Sequence, residues 1–114
     1  MNLFFRIIFK IFLVLIIAIG CVTTQEVKKD ADFYNNQGVA YDDKGQFDKA
    51  IANYNKAIEL DPKHAMAYYN RGNSYYDKRE YDKAISDYTK ATEINPRYAE
   101  AYNNCGNAYL KPFR

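Results

Sequence analysis

The chain has 114 residues, the length of one small domain. Its 16 Lys and Arg against 14 Asp and Glu give a formal charge of +2. Arg6 and Lys10 account for that excess, so beyond residue 20 the chain is formally neutral, which argues against a nucleic-acid binder.

Residues 1–20 are unlike the rest. MNLFFRIIFK carries Arg6 and Lys10 and no acid, and Ile11–Ile19 is an unbroken apolar run of nine residues followed by Gly20-Cys21. A basic start, a short apolar stretch and a small residue before the cut predict a secretory signal peptide. The run falls well short of the roughly 20 residues that cross a bilayer. Ala18-Ile19-Gly20-Cys21 resembles the lipobox of bacterial lipoproteins. That resemblance implies cleavage before Cys21, acylation of Cys21 as the lipidation site, and membrane anchorage in a bacterial cell envelope. Val22 beside the cysteine leans towards the outer membrane. An uncleaved signal anchor is the rival reading. Residues 21–30 comprise the lipidated cysteine and a polar stretch, VTTQEVKKD, without apolar period, which reads as a flexible tether.

A repeat begins at Ala31. Residues 31–64 lie over residues 65–98 without a gap, identical at 16 of 34 positions, and a third copy starts at Ala99. A fixed period in this range predicts a solenoid. Each copy reads as two helices. Phe47, Ala50, Ile51, Tyr54, Ala57 and Ile58 keep helical spacing, as do Tyr81, Ala84, Ile85, Tyr88 and Ala91. Gly45 marks the turn between the helices of the first copy. Arg79 replaces it in the second, which suggests that the turn does not require a positive φ. Asp61-Pro62 and Asn95-Pro96 punctuate the ends of the copies, where Asp or Asn is expected to cap the next helix. Glycine is costly inside a helix, so its recurrence at Gly38, Gly72 and Gly106 predicts close helix crossings.

Tyr34, Gly38, Tyr41, Ala50, Tyr54, Ala57 and Pro62, with Tyr68, Gly72, Tyr75, Ala84, Tyr88, Ala91 and Pro96, resemble the tetratricopeptide-repeat (TPR) pattern. The resemblance covers residues 31–111. It implies an all-α fold, a right-handed superhelical solenoid of antiparallel helix pairs, with repeats at 31–64 and 65–98 and a truncated third at 99–114. One departure is the usual Leu position, here Gln37, Arg71 and Cys105, which is expected to loosen that contact.

The sequence lacks the chemistry of an enzyme. His64 is the single histidine and reads as a solvated loop residue without a triad or metal partner. The carboxylates Asp42, Asp43, Asp48, Asp77 and Asp82 alternate with lysines, as on solvated helix faces. No phosphate loop is present, and neither cofactor nor metal is expected. Cys105, at a normally packed helix position, reads as a small core residue.

The TPR resemblance also implies where a ligand lies, since the first helix of each unit lines a concave groove. Carried onto this chain, unit one supplies Asp32, Asn35, Asn36, Val39, Asp42 and Asp43. Unit two supplies Met66, Tyr69, Asn70, Asn73, Tyr76 and Asp77, and unit three Glu100, Asn103, Asn104, Asn107, Leu110 and Lys111. Asn36, Asn70 and Asn104 form a ladder, with Asn73 and Asn107 one turn on. An Asn side chain both donates and accepts, so it can pair with a peptide backbone or bond within the array. Tyr69 and Tyr76 add rigid aromatic contact area. The clamp that grips chaperone C-termini in this family is not matched, because Glu100 has the wrong sign for a carboxylate.

The third unit stops after one helix, at Pro112 and Phe113. Tyr102, Tyr109, Leu110 and Phe113 are more apolar than a capping helix needs. The sequence therefore predicts a lipid-anchored adaptor that binds a protein or peptide in its groove, with a homodimer through the terminal helix. Envelope lipoproteins of this kind assist assembly of pili, secretins or outer-membrane proteins. The rivals are an oligomerising structural module, an enzyme accessory, and a fragment of a longer array.

Overall fold

The computed structural model describes residues 2–12 and 27–111. Cys21, the lipobox, most of the apolar run, Pro112 and Phe113 lie outside the described residues. Residues 3–12 form a helix, α1, and no strand occurs among the described residues. No helix among the described residues is long and apolar enough to cross a membrane. The repeat region folds as α2 (Ala31–Asp43), α3 (Phe47–Leu60), α4 (Ala65–Asp77), α5 (Tyr81–Ile94) and α6 (Ala99–Leu110).

Within the repeat region each helix packs on its sequence neighbour. In addition α2 touches α4 and α4 touches α6, whereas α3 and α5 make no comparable contact. The array therefore curves towards the face made by α2, α4 and α6.

The core is built from small residues around two large ones. Ala50, Ala57, Ala67, Ala84, Ala91, Ala101 and Ala108 are fully buried, and Tyr54 and Tyr88 lie among them with almost no exposed surface. The repeated glycines make this possible. A Cβ on Gly38 would lie 2.7 Å from Tyr54 Cδ1, and one on Gly72 would lie 2.8 Å from Tyr88 Cε1. Each tyrosine ring thus rests on the bare backbone of the helix opposite.

The hydroxyls of these rings are also satisfied. Tyr54 Oη donates to Asp42 Oδ2 at 2.6 Å, and Tyr88 Oη donates to Asn73 Oδ1 at 2.7 Å. Ser74 Oγ donates to the other Asp42 oxygen at 2.7 Å, so one carboxylate joins α2, α3 and α4. Burial above all, reinforced by Asp42 at Tyr54 and by Tyr69 and Asp77 at Tyr88, pushes both phenols well above their ordinary value.

This has a consequence at high pH. The unfolded chain releases tyrosine protons near pH 10, while the folded chain retains these two. Their contribution is complete below pH 10 and is lost as pH rises towards the folded values, by about 1.4 kcal/mol per pH unit for each ring. Urea midpoints measured between pH 9 and 11 should fall steeply above 10, and Tyr88→Phe should make that slope shallower. A midpoint that stays flat to pH 11 would contradict the buried pairings.

Four details of the sequence reading are corrected. Arg79 has φ +62, like Gly45 at +70, so both turns need the left-handed region. Both helices end in a Schellman motif, with Gln46 N–H donating to Tyr41 O and Glu80 N–H to Tyr75 O at 2.9 Å each. Arg79 carries a conformational cost of about 1 kcal/mol that Gly45 avoids. Asp61 and Asn95 do not cap the next helix. They accept from Lys63 N–H and Arg97 N–H two residues on, as Asx turns.

The cap of α4 is His64, which is not a solvated loop residue. Its Nδ1 accepts from Ala67 N–H at 3.1 Å and its Nε2 lies 2.8 Å from Asp32 Oδ1 on α2. Those two bonds together require the tautomer with the proton on Nε2.

The fourth correction is at the usual Leu position. Arg71 does not loosen the contact. Its Nε and Nη2 donate to both oxygens of buried Asp87 at 2.8 and 2.7 Å, its Nη1 donates to Asn55, and it lies over the rings of Tyr68 and Tyr75. Burial raises the Asp87 carboxyl against the pull of Arg71. Burial also works against the Arg71 charge, but the bonds and charge of Asp87 hold it above its ordinary value. Cys105 is half-buried against Ala84, Tyr88 and Ala108, as expected of a small packed residue.

Candidate functional site

The α2–α4–α6 face carries the residues that the repeat register assigns to a groove, in two different states. Asn35 is the first departure. It is buried, and its Oδ1 accepts from Asn70 Nδ2 at 3.0 Å. One unit on, Tyr69 Oη accepts from Asn104 Nδ2 at 3.1 Å. The residue at position 5 of one unit thus receives a hydrogen bond from position 6 of the next, and the ladder braces the stacked helices.

Asn73 belongs to the same bracing. Its Oδ1 accepts from Tyr88 Oη and from Asn104 Nδ2. Tyr69 packs its ring between Tyr88 and Tyr98, with centroids 5.9 and 4.9 Å away. Asp42 is occupied by Tyr54 and Ser74. Asn70, Asn104, Asn73 and Tyr69 therefore each have a structural role, whatever else they do.

A second set faces solvent. Asn36, Val39, Asp43, Met66, Asp77, Glu100, Asn103, Asn107 and Leu110 are exposed along this side. Where α4 meets α6, the two sets meet in a recess of about 340 Å³ lined by Asn73, Tyr76, Asp77, Tyr88, Asn104 and Asn107. Tyr76 is half-buried there, edge-on to Tyr81 with centroids 5.3 Å apart. Asp77 is held above the ordinary carboxylate range by partial burial and then by the charge of Asp42. The recess thus combines aromatic surface with amide and carboxylate edges. No group of His, Cys, Asp and Glu able to hold a metal occurs among the described residues.

Among the links that the sequence reading missed are His64–Asp32, Ser74–Asp42 and Arg71–Asp87. Comparing copies offers a signal for the last. Where unit one has the neutral pair Gln37 and Asn53, unit two has the charged pair Arg71 and Asp87.

The comparisons agree with this geometry. The TPR repeat family profile matches residues 38–79 and 72–111. A search of curated protein sequences finds no match. Among solved structures, the first TPR of Spaghetti (RPAP3) bound to the HSP90 peptide SRMEEVD is similar at 30% identity and TM-score 0.68, over 70% of this chain and 65% of that one. MamA is similar at 36% identity and TM-score 0.69, over 71% of this chain and 44% of that one. The N-terminal domain of stress-induced protein-1 from C. elegans is similar at 29% identity and TM-score 0.68, over 72% and 70%. This chain thus spans about two thirds of the first and under half of the second. A profile matched over two overlapping stretches, on helices whose packing contacts recur at the same spacing, places the chain in the tetratricopeptide-repeat family.

Proposed function

We propose that this chain is a non-catalytic, membrane-tethered interaction module that holds a polypeptide segment along the α2–α4–α6 face. The observation that carries the reading is the recess between α4 and α6, where solvent-facing Asn107 and Asp77 adjoin the ring of Tyr76. An extended peptide has unpaired backbone groups that such amide edges can meet, and side chains that such rings can cover. The likeness to TPR domains solved with a bound peptide supports a peptide as the ligand.

The ligand differs in charge from the one in those structures. SRMEEVD is acidic, whereas Asp32, Asp43, Asp77 and Glu100 line this face and Lys111 is the basic residue among its groove positions. The partner is therefore a segment carrying Lys or Arg. Lipid on Cys21 would tether the module to a bacterial envelope membrane, the outer one favoured by Val22, where envelope assembly supplies such segments. Copies of the chain also associate through α6, whose outer side is exposed.

One experiment addresses both parts. Arrays of extended decapeptides probed with the chain should return binders rich in Lys and Arg, with SRMEEVD negative. Asn36→Ala combined with Asn107→Ala should weaken the best binder by about thirtyfold, at roughly 1 kcal/mol for each lost hydrogen bond, without moving the thermal midpoint. Unchanged binding would remove the groove reading. Labelled fatty acid fed to bacteria expressing the full chain should mark it, and Cys21→Ser should abolish the label. An unlabelled parent chain would remove the tether.

A further inference from the structure

The first helix of each unit carries a stripe that alternates small and large residues at 3-4-3 spacing. In α6 it is Ala99, Tyr102, Gly106 and Tyr109, and the same residue types stand 34 and 68 positions earlier in α4 and α2. In the complete units the second helix covers this stripe, large residue on small: Tyr54 lies on Gly38 and Tyr88 on Gly72. In α6 nothing among the described residues lies within 4 Å of a Cβ built on Gly106. Tyr102 and Tyr109 are 54% and 58% exposed, while their counterparts in α2 and α4 are half-buried.

The stripe is complementary to itself. A twofold axis level with residue 104 sets an antiparallel copy so that Tyr102 faces the partner's Gly106 and Tyr109 faces the partner's Ala99, each contact occurring twice. Every large residue of the stripe then meets a small one, repeating the tyrosine-on-glycine contact of the two complete units. Centring the pair on Gly106 instead would oppose Tyr102 with the partner's Leu110 and leave the two glycines face to face. The 3-4-3 spacing suits helices that run nearly antiparallel.

We propose that two copies of this chain pair through α6 in this register, with Tyr102 seated on the partner's Gly106 and Tyr109 on the partner's Ala99. The proposal rests on the reading of α6 as an association surface and specifies its contacts. A pair of twelve-residue helices buries little area, so the dimer is weak in solution. Confinement of both copies to one membrane would raise their effective concentration.

The test is sedimentation velocity on the full chain in neutral detergent with reductant, from about 1 to 300 μM. A monomer–dimer equilibrium within that concentration range is expected. Gly106→Ala should raise the thermal midpoint of the monomer, because alanine favours helix and has open space there. The same change should weaken the dimer by at least about tenfold, because the ring of Tyr102 loses its seat. Loss of the dimer in a better-folded variant separates the interface from stability. A monomer at every concentration overturns both the register and the association surface. A dimer unmoved by Gly106→Ala overturns the register alone.

Discussion

Asp87→Ala should destabilise the array by about 3 kcal/mol, at the lower end of what breaking a buried ion pair costs. The carboxylate is almost wholly buried and receives two hydrogen bonds from Arg71, whose side chain is 20% exposed. Removing it leaves a guanidinium between Tyr68 and Tyr75 with Asn55 as its remaining neutral partner. Partial access to solvent keeps the cost from being larger. An array of this size has on the order of 5 kcal/mol to lose, so the variant should be largely unfolded in low urea by circular dichroism. Replacing both partners, Arg71→Leu with Asp87→Leu, should recover most of the loss, because paired apolar groups leave no stranded charge. A single variant within about 1 kcal/mol of the parent would show that water, not Asp87, satisfies Arg71.

That pair also shows what the sequence could and could not convey. The helix pairs, their order and the crossings at Gly38 and Gly72 were legible, because each depends on residue types recurring at a fixed spacing, whereas the crossing expected at Gly106 is absent because no ring among the described residues lies against it. Single-copy features were not. Arg71 and Asp87 form a bond confined to unit two, and a family pattern with Leu at that position points away from it. His64 was misread for a related reason. Its role depends on Asp32, and unit two has Tyr98 and Met66 at those positions, so the copies offer no agreement to read.

The left-handed turn at Arg79 was misread because residue type was taken to limit backbone geometry, whereas the Schellman bonds hold the turn regardless. On the candidate face, the asparagines were legible as a ladder but their direction was not. Period alone cannot distinguish Asn35, turned into the stack, from Asn36, turned out to solvent.

Three glycines equivalent by register should respond to alanine with two different signs. At Gly72 the new Cβ would lie 2.8 and 2.9 Å from the Tyr88 ring and 3.3 Å from Asp87 Cβ. The ring cannot yield without cost. It is 1% exposed, rests among Ala84 and Ala108, and its hydroxyl is fixed on Asn73, which also receives Asn104. Pushing it aside strains a bond that joins α4, α5 and α6. Overpacking of this kind costs about 1–3 kcal/mol, against the roughly 1 kcal/mol that alanine returns through helix propensity. Gly72→Ala should therefore lose about 1 kcal/mol net, with the loss spreading to α6. Gly38→Ala should lose at least as much, because the Tyr54 ring is fully buried and tied to Asp42. Gly106→Ala, at concentrations where the chain is monomeric, should gain up to about 1 kcal/mol. Hydrogen exchange resolved by helix would locate the loss at the α4–α5 crossing for Gly72→Ala. If all three variants moved stability in one direction, the tyrosine-on-glycine contact would not be what places the helices.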